Sequence, residues 1–214
     1  MVIPGTRADP IGSFFARPLA VGDTSYWMTL LLVAFTATGL LLSRDWRWRL
    51  GLLAAQYLGV FWMILIHWSV SLAATKLVAG WMACTVLGIA HLSAGNAKGT
   101  EHTWPHGRLF TVFAAGMVMA VSFALSSGVT KWLGLGLPVV WGSLLLIGLG
   151  LLHLGITTAP FRVIIGLLTV LSGFEVLYAA VESSALVTAL LVVVNLGLAM
   201  SGAYLLNNEQ GKAS

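Results

Sequence analysis

Seven stretches of this sequence are apolar over about the 20 residues an α-helix needs to cross a hydrocarbon core. They cover residues 26–42, 50–68, 70–92, 109–126, 132–153, 161–181 and 185–206. Inside lipid every backbone N–H and C=O must be satisfied within the protein, so isolated segments of this kind fold as helices. Composition agrees, with 58% hydrophobic and 8% charged residues among 214, against about 25% charged in an average soluble domain. The expected fold class is all-α: a polytopic transmembrane bundle of about seven helices, with membrane lipid as its first partner.

The pattern divides the chain into an interfacial arm (1–24), three helices (25–92), a loop and fourth helix (93–131), three more helices (132–207) and a short tail (208–214). Tight connections around Ser69 and at Glu182-Ser183-Ser184 predict antiparallel hairpins. The arm mixes Pro, Gly and charge with no long apolar core, unlike a cleaved signal peptide. Cytoplasmic loops collect basic residues. With the N-terminus outside, Arg44, Arg47, Arg49, Lys98, Arg108, Arg162 and Lys212 fall inside, whereas Arg7, Arg17 and Lys131 fall outside. The expectation is a multi-pass cell-membrane protein with its C-terminus cytoplasmic. The net charge of +4 is scattered among loops and forms no nucleic-acid patch. Cys84 has no second cysteine to pair with.

Laying the chain on itself at an offset of 115 residues aligns Leu30, Leu31, Arg47, Gly51, Leu52, Leu53 and Ser69 with Leu145, Leu146, Arg162, Gly166, Leu167, Leu168 and Ser184. Helices one to three then match helices five to seven as a parallel three-helix repeat, of a kind known in transporter folds. The alternative is that two Leu-rich membrane segments share letters by composition alone.

Glu175 stands inside the sixth apolar stretch, where an ionisable group is costly and is functional by default. Thr169, Ser172, Glu175, Tyr178 and Glu182 recur at spacings of three or four and so share one helix face. The stripe makes Glu175, with Ser172, Tyr178 and Glu182, a candidate proton or ion path; the alternative is a carboxyl that makes one interhelical hydrogen bond. Lys76, near the outer end of the third helix, either snorkels to the interface or pairs with Glu175 or Glu182. Gln56, His67 and Asn195 are path members or polar glue between helices. His91 and His153, both near cytoplasmic helix ends, form a less favoured candidate pair of haem ligands. His102 and His106 share a loop with Glu101. No further cofactor, and no metal site or catalytic residue, is expected. Small residues on the last helix (Gly197, Ala199, Ser201, Gly202) predict a close contact, within the chain or with a neighbour.

The run Gly173-Phe174-Glu175-Val176-Leu177-Tyr178-Ala179-Ala180 resembles the Gly-Leu-Glu-hydrophobic-hydrophobic-x-x-Ala signature of the small K-type (4L) membrane subunit of respiratory complex I. That subunit has relatives in the C component of Mrp-type cation/proton antiporters and in the E component of membrane-bound hydrogenases. Arg162 matches the basic residue that precedes the family's helix, and Leu196-Gly197-Leu198-Ala199 is similar to its Ile-Gly-Leu-Ala run. The resemblance covers residues 144–206. It departs at Val193, where the family carries a second acid. It implies a non-catalytic subunit among other membrane subunits of a respiratory-type or antiporter complex, with Glu175 in a proton pathway.

Overall fold

The computed structural model describes residues 23–43, 45–65, 69–93, 108–182 and 184–213. Most of the expected arm, His67 and the loop with Glu101, His102 and His106 lie outside the described residues. Among the described residues the chain is a bundle of seven helices: α1 (Asp23–Leu42), α2 (Trp46–Leu65), α3 (Val70–Ser93), α4 (Arg108–Leu133), α5 (Leu137–Gly155), α6 (Pro160–Val181) and α7 (Ala185–Ala213). Each is long and apolar enough to span a membrane, in agreement with the all-α expectation.

The breaks have identifiable causes. Gly134 takes a left-handed conformation, φ 67°, which glycine adopts without the penalty a Cβ brings. Pro138, in the first turn of α5, and Pro160, the first residue of α6, sit where the missing N–H has no helical partner to lose. The fourth apolar stretch was expected to end at Ser126, but α4 runs on to Leu133. Ser126 and Ser127 donate back to the carbonyls of Phe123 and Ala124 at 2.6 and 3.1 Å, so their polarity is absorbed by their own helix. The connection between α4 and α5 therefore falls at Gly134–Gly136 and not at 127–131. Similarly, α2 begins before 50, and α7 continues beyond 206 to Ala213.

The helix starts follow the 115-residue offset to within one residue. Adding 115 to the first residues of α1, α2 and α3 gives 138, 161 and 185, against observed starts at Leu137, Pro160 and Ala185. Each helix also packs on its own equivalent, α1 on α5, α2 on α6 and α3 on α7, and hairpin neighbours pack on one another. α4 has no counterpart in the scheme. It packs mainly against α5 and is the least buried of the seven spans.

Two apolar clusters fill the bundle. One is built around Val33, Met63, Leu145, Leu149 and Val176; the other around Leu53, Tyr57, Leu87, Ile165 and Leu168. Small residues let the helices close. A Cβ on Gly173 would stand 2.7 Å from the Ser143 carbonyl oxygen, and one on Gly80 would enter the ring of Tyr57. Such contacts supply packing where lipid removes the hydrophobic drive for helices to associate. On α7, Gly202 is pressed between Ile164 and Leu87 and Ala199 is fully buried, whereas Gly197 and Ser201 face outward. The close contact expected of this helix is thus made within the chain by Ala199 and Gly202.

Two glycines test this packing. Gly80→Ala should destabilise by about 1–3 kcal/mol through overpacking. Gly197→Ala, with nothing within 4 Å of the new Cβ, should be neutral or up to about 1 kcal/mol stabilising. Thermal unfolding in detergent micelles reads both, and equal effects would contradict the α2–α3 contact.

Candidate functional site

Lys76 and Glu175 meet inside the bundle. Lys76 Nζ donates to Glu175 Oε1 at 2.7 Å, with the two side chains only 2% and 1% exposed. Helix register brings them to one depth. Lys76 is six residues beyond the first residue of α3 (76 − 70) and Glu175 six before the last of α6 (181 − 175). At 1.5 Å per residue both lie about 9 Å inside the hairpin end. Glu175 thus lies between the middle of α6 and that end, slightly nearer the middle.

Two further helices complete the arrangement. Asn195 of α7 donates through Nδ2 to the same Glu175 oxygen at 2.9 Å. Tyr57 of α2 donates its hydroxyl to Asn195 Oδ1 at 3.0 Å. Donation therefore runs from Tyr57 to Asn195 to Glu175, and from Lys76 to Glu175, joining α2, α3, α6 and α7. Asn195 is fully buried and Tyr57 2% exposed. Lys76 and Asn195 both donate to one carboxylate oxygen, the geometry that favours a negative charge there. The Ser172 hydroxyl also lies near the tyrosine oxygen, although its proton goes to the Leu168 carbonyl at 2.8 Å.

The 115-residue offset also relates residues of the site. At the 115-residue offset Tyr57 corresponds to Ser172 and Gly80 to Asn195. One copy presents a long phenol and a glycine that makes room for it; the other presents a short hydroxyl and an amide. The pseudo-equivalent positions converge where α2 meets α6, and their unequal side chains interlock.

Of the residues expected from sequence, Lys76, Glu175 and Asn195 come together. Lys76 is buried and paired with Glu175, so it does not snorkel. Tyr178 stands away from the pair, half-buried, its ring stacked on Phe174 at 6.3 Å. Glu182 is the exposed residue that caps α6, its backbone N–H bonded to the Tyr178 carbonyl at 2.9 Å. The expected stripe is thus polar at three depths, but Thr169 and Ser172 each donate back to their own helix and form no hydroxyl relay to Glu175. The two histidines considered for haem occupy different settings. His91 lies between the rings of Trp46 and Phe161, at 4.9 and 4.8 Å, while His153 is buried within reach of the charges of Arg49 and Arg162. Among the described residues no three His, Cys, Asp or Glu side chains converge on a metal position.

Tyr57 was not singled out from the sequence. A single tyrosine in an apolar helix looks like an interfacial anchor; the signal was its alignment with Ser172 in the repeat. Gln56, next to it, is fully buried and neither of its amide atoms has a hydrogen-bond partner. On the lipid side, a groove between α3 and α7 is lined by Thr75, Ala79, Val192 and Leu196, which flank the site residues in sequence, and is almost wholly apolar.

Compared with protein-family models, with curated proteins and with solved structures, the chain matches none. The likeness of the sixth and seventh helices to the K-type subunit therefore stands on the quoted residues alone.

Two expectations follow for stability. Lys76→Met or Glu175→Gln alone should each cost about 3–5 kcal/mol, because a buried charge loses its partner, and the double variant should regain most of that. Single and double variants that unfold alike in detergent would contradict the pairing. Gln56→Leu should stabilise the fold by about 1–3 kcal/mol, the amide's unreturned desolvation; a lower melting temperature would show that the amide is engaged.

Proposed function

We propose that this chain is a membrane subunit of a proton- or ion-translocating assembly of the complex I, hydrogenase or Mrp antiporter kind, and that the Lys76–Glu175 pair is its titrating element. The observation that supports this most is an ion pair enclosed within the span, completed by Asn195 and Tyr57. Ionisable residues inside a membrane pair with one another and mark proton relays.

The chemistry available to the pair is a change of partner. With Lys76 charged and Glu175 ionised the pair is neutral overall. A proton arriving on Glu175 neutralises the carboxylate, weakens both incoming hydrogen bonds and leaves the ammonium uncompensated in a low-dielectric interior. Release of a proton from either group restores a neutral pair. The site thus has two charge states that hold α3, α6 and α7 together with different strength, which is the property a translocation step needs. The apolar groove offers no hydrophilic route from the lipid side, so access to the pair runs through the bundle interior or along a neighbouring subunit. In this proposal the N-terminus is outside and the hairpin end that holds the pair faces outward.

The same geometry favours a second reading, in which the network only locks four helices. Its observation is that Glu175 Oε1 already receives two donors. The variant that separates the two is Lys76→Gln/Glu175→Gln, which keeps neutrality and hydrogen-bonding capacity but removes both titrating groups. We expect it to fold and to co-purify with its partner subunits while ion translocation in native membrane vesicles falls by at least about tenfold. Translocation at the wild-type rate with an intact assembly would refute the transport reading and leave the lock.

A further inference from the structure

Gln56 is a buried polar side chain that the hydrogen bonds around Lys76 and Glu175 leave out. It stands at the middle of α2, ten residues beyond Trp46 (56 − 46) and nine before Leu65 (65 − 56). It is fully buried, and neither amide atom has a hydrogen-bond partner. At 1.5 Å per residue it lies about 14 Å inside the hairpin end, about 5 Å deeper than the pair. Its place is the seam between the two apolar clusters. On α2, Leu53 and Tyr57 belong to one cluster and Val60 and Met63 to the other. The same division runs along α6, where Ser172 and Glu175 fall between Leu168 of the first cluster and Val176 of the second. On α1 the seam position is Thr36, between Val33 and Leu40.

Close contacts between α1 and α2 set their register. A Cβ on Gly39 would touch Leu52, and one on Gly59 would touch Val33, so the two helices run antiparallel. Three residues back from Gly59 and three on from Val33, Gln56 comes level with Thr36. The Thr36 hydroxyl is buried and donates to the carbonyls of Leu32 and Val33 at 2.9 and 3.0 Å, and that of Ser172 donates to Leu168. Each hydroxyl oxygen keeps lone pairs that accept hydrogen bonds, while the Gln56 amide brings two donor hydrogens and a carbonyl oxygen. Polar groups of this kind, set along a seam, supply the two to four partners that a buried water takes. Leaving the amide unpaired costs stability, and departures from local rules of that sort concentrate at functional sites.

We propose that Gln56 is a positioning residue on a proton route to Glu175, its amide orienting a water in the seam as the proton passes. This role rests on the transport reading of the Lys76–Glu175 pair and narrows its ion to a proton. Hydroxyls, amides and water pass a proton by exchanging hydrogen bonds, whereas a metal ion needs several oxygens to replace its own water. In the transfer step the water on the amide takes a proton from the water behind it and gives one of its own to the Glu175 carboxylate. One O–H bond forms on the carboxyl and one breaks in the water, which is restored, while the amide keeps its protonation throughout. The seam supplies the approach that the almost wholly apolar groove between α3 and α7 does not.

The test compares the full chain with Gln56→Leu, Gln56→Asn and Lys76→Gln/Glu175→Gln. Gln56→Leu should melt above the wild type in detergent, since it removes the unpaired amide, yet proton translocation in native membrane vesicles should fall by at least about tenfold. In the lipid-reconstituted chain its Glu175 carboxyl C=O band should appear about tenfold more slowly after a pH step. Gln56→Asn, which keeps an amide, should retain most of both rates. Wild-type rates in Gln56→Leu beside a loss in Lys76→Gln/Glu175→Gln would overturn the role of Gln56 and leave the transport reading standing. Wild-type translocation in both would overturn the two together. A lower melting temperature in Gln56→Leu, or equal losses in Gln56→Leu and Gln56→Asn, would make the amide a packing element and overturn its role as well.

Discussion

The charge pair between Lys76 and Glu175 is the constraint around which the rest of the bundle is arranged. An ammonium or a carboxylate alone inside a membrane span is strongly unfavourable, so each requires the other, and meeting fixes the depth and rotation of α3 and α6. Asn195 and Tyr57 then extend the requirement to α7 and α2, because a buried amide and a buried phenol also need partners. Four of the seven helices are positioned by four side chains, while apolar packing and glycine contacts supply the close fit between them. α4, which contributes nothing to the network, is also the least buried span.

At the 115-residue offset the site joins corresponding positions of helices one to three and five to seven. The equivalent helices α2 and α6 pack on each other, so equivalent positions approach across the junction. If both copies carried the same side chains there, they would compete for the same space. Tyr57 against Ser172 and Gly80 against Asn195 remove that conflict. The acid and the base are each present in one copy only: Val60 stands at the position of Glu175 in the first half and Leu191 at that of Lys76 in the second. The ion pair therefore has no counterpart at that offset.

The spans were legible in the sequence because membrane helices are set by length and hydropathy alone. Boundaries failed where polarity did not mean exposure. The fourth span was expected to end at Ser126, yet the helix runs on to Leu133, and the hydroxyls of Ser126 and Ser127 bond to the preceding turn. Glu175 and Lys76 were conspicuous because charge is rare in such segments, but their pairing depends on how α3 and α6 pack, which periodicity does not encode. For the same reason Glu182 and Tyr178, on the same stripe as Glu175, turned out to lie away from the pair, and Asn195 on another helix turned out to touch it. The function was not legible beyond an intramembrane carboxylate and a short family-like run, and it remains a proposal carried by the geometry of the pair.

If Glu175 is the titrating group of a translocation step, its carboxyl must change protonation in the folded protein. Infrared difference spectroscopy of the lipid-reconstituted chain across a pH step measures this directly, with Glu175→Gln as the reference. The account predicts a pH-dependent carboxyl C=O band in the wild type that is missing in the variant. A wild-type spectrum indistinguishable from that of Glu175→Gln in this region would contradict it, leaving the pair as a fixed charge lock.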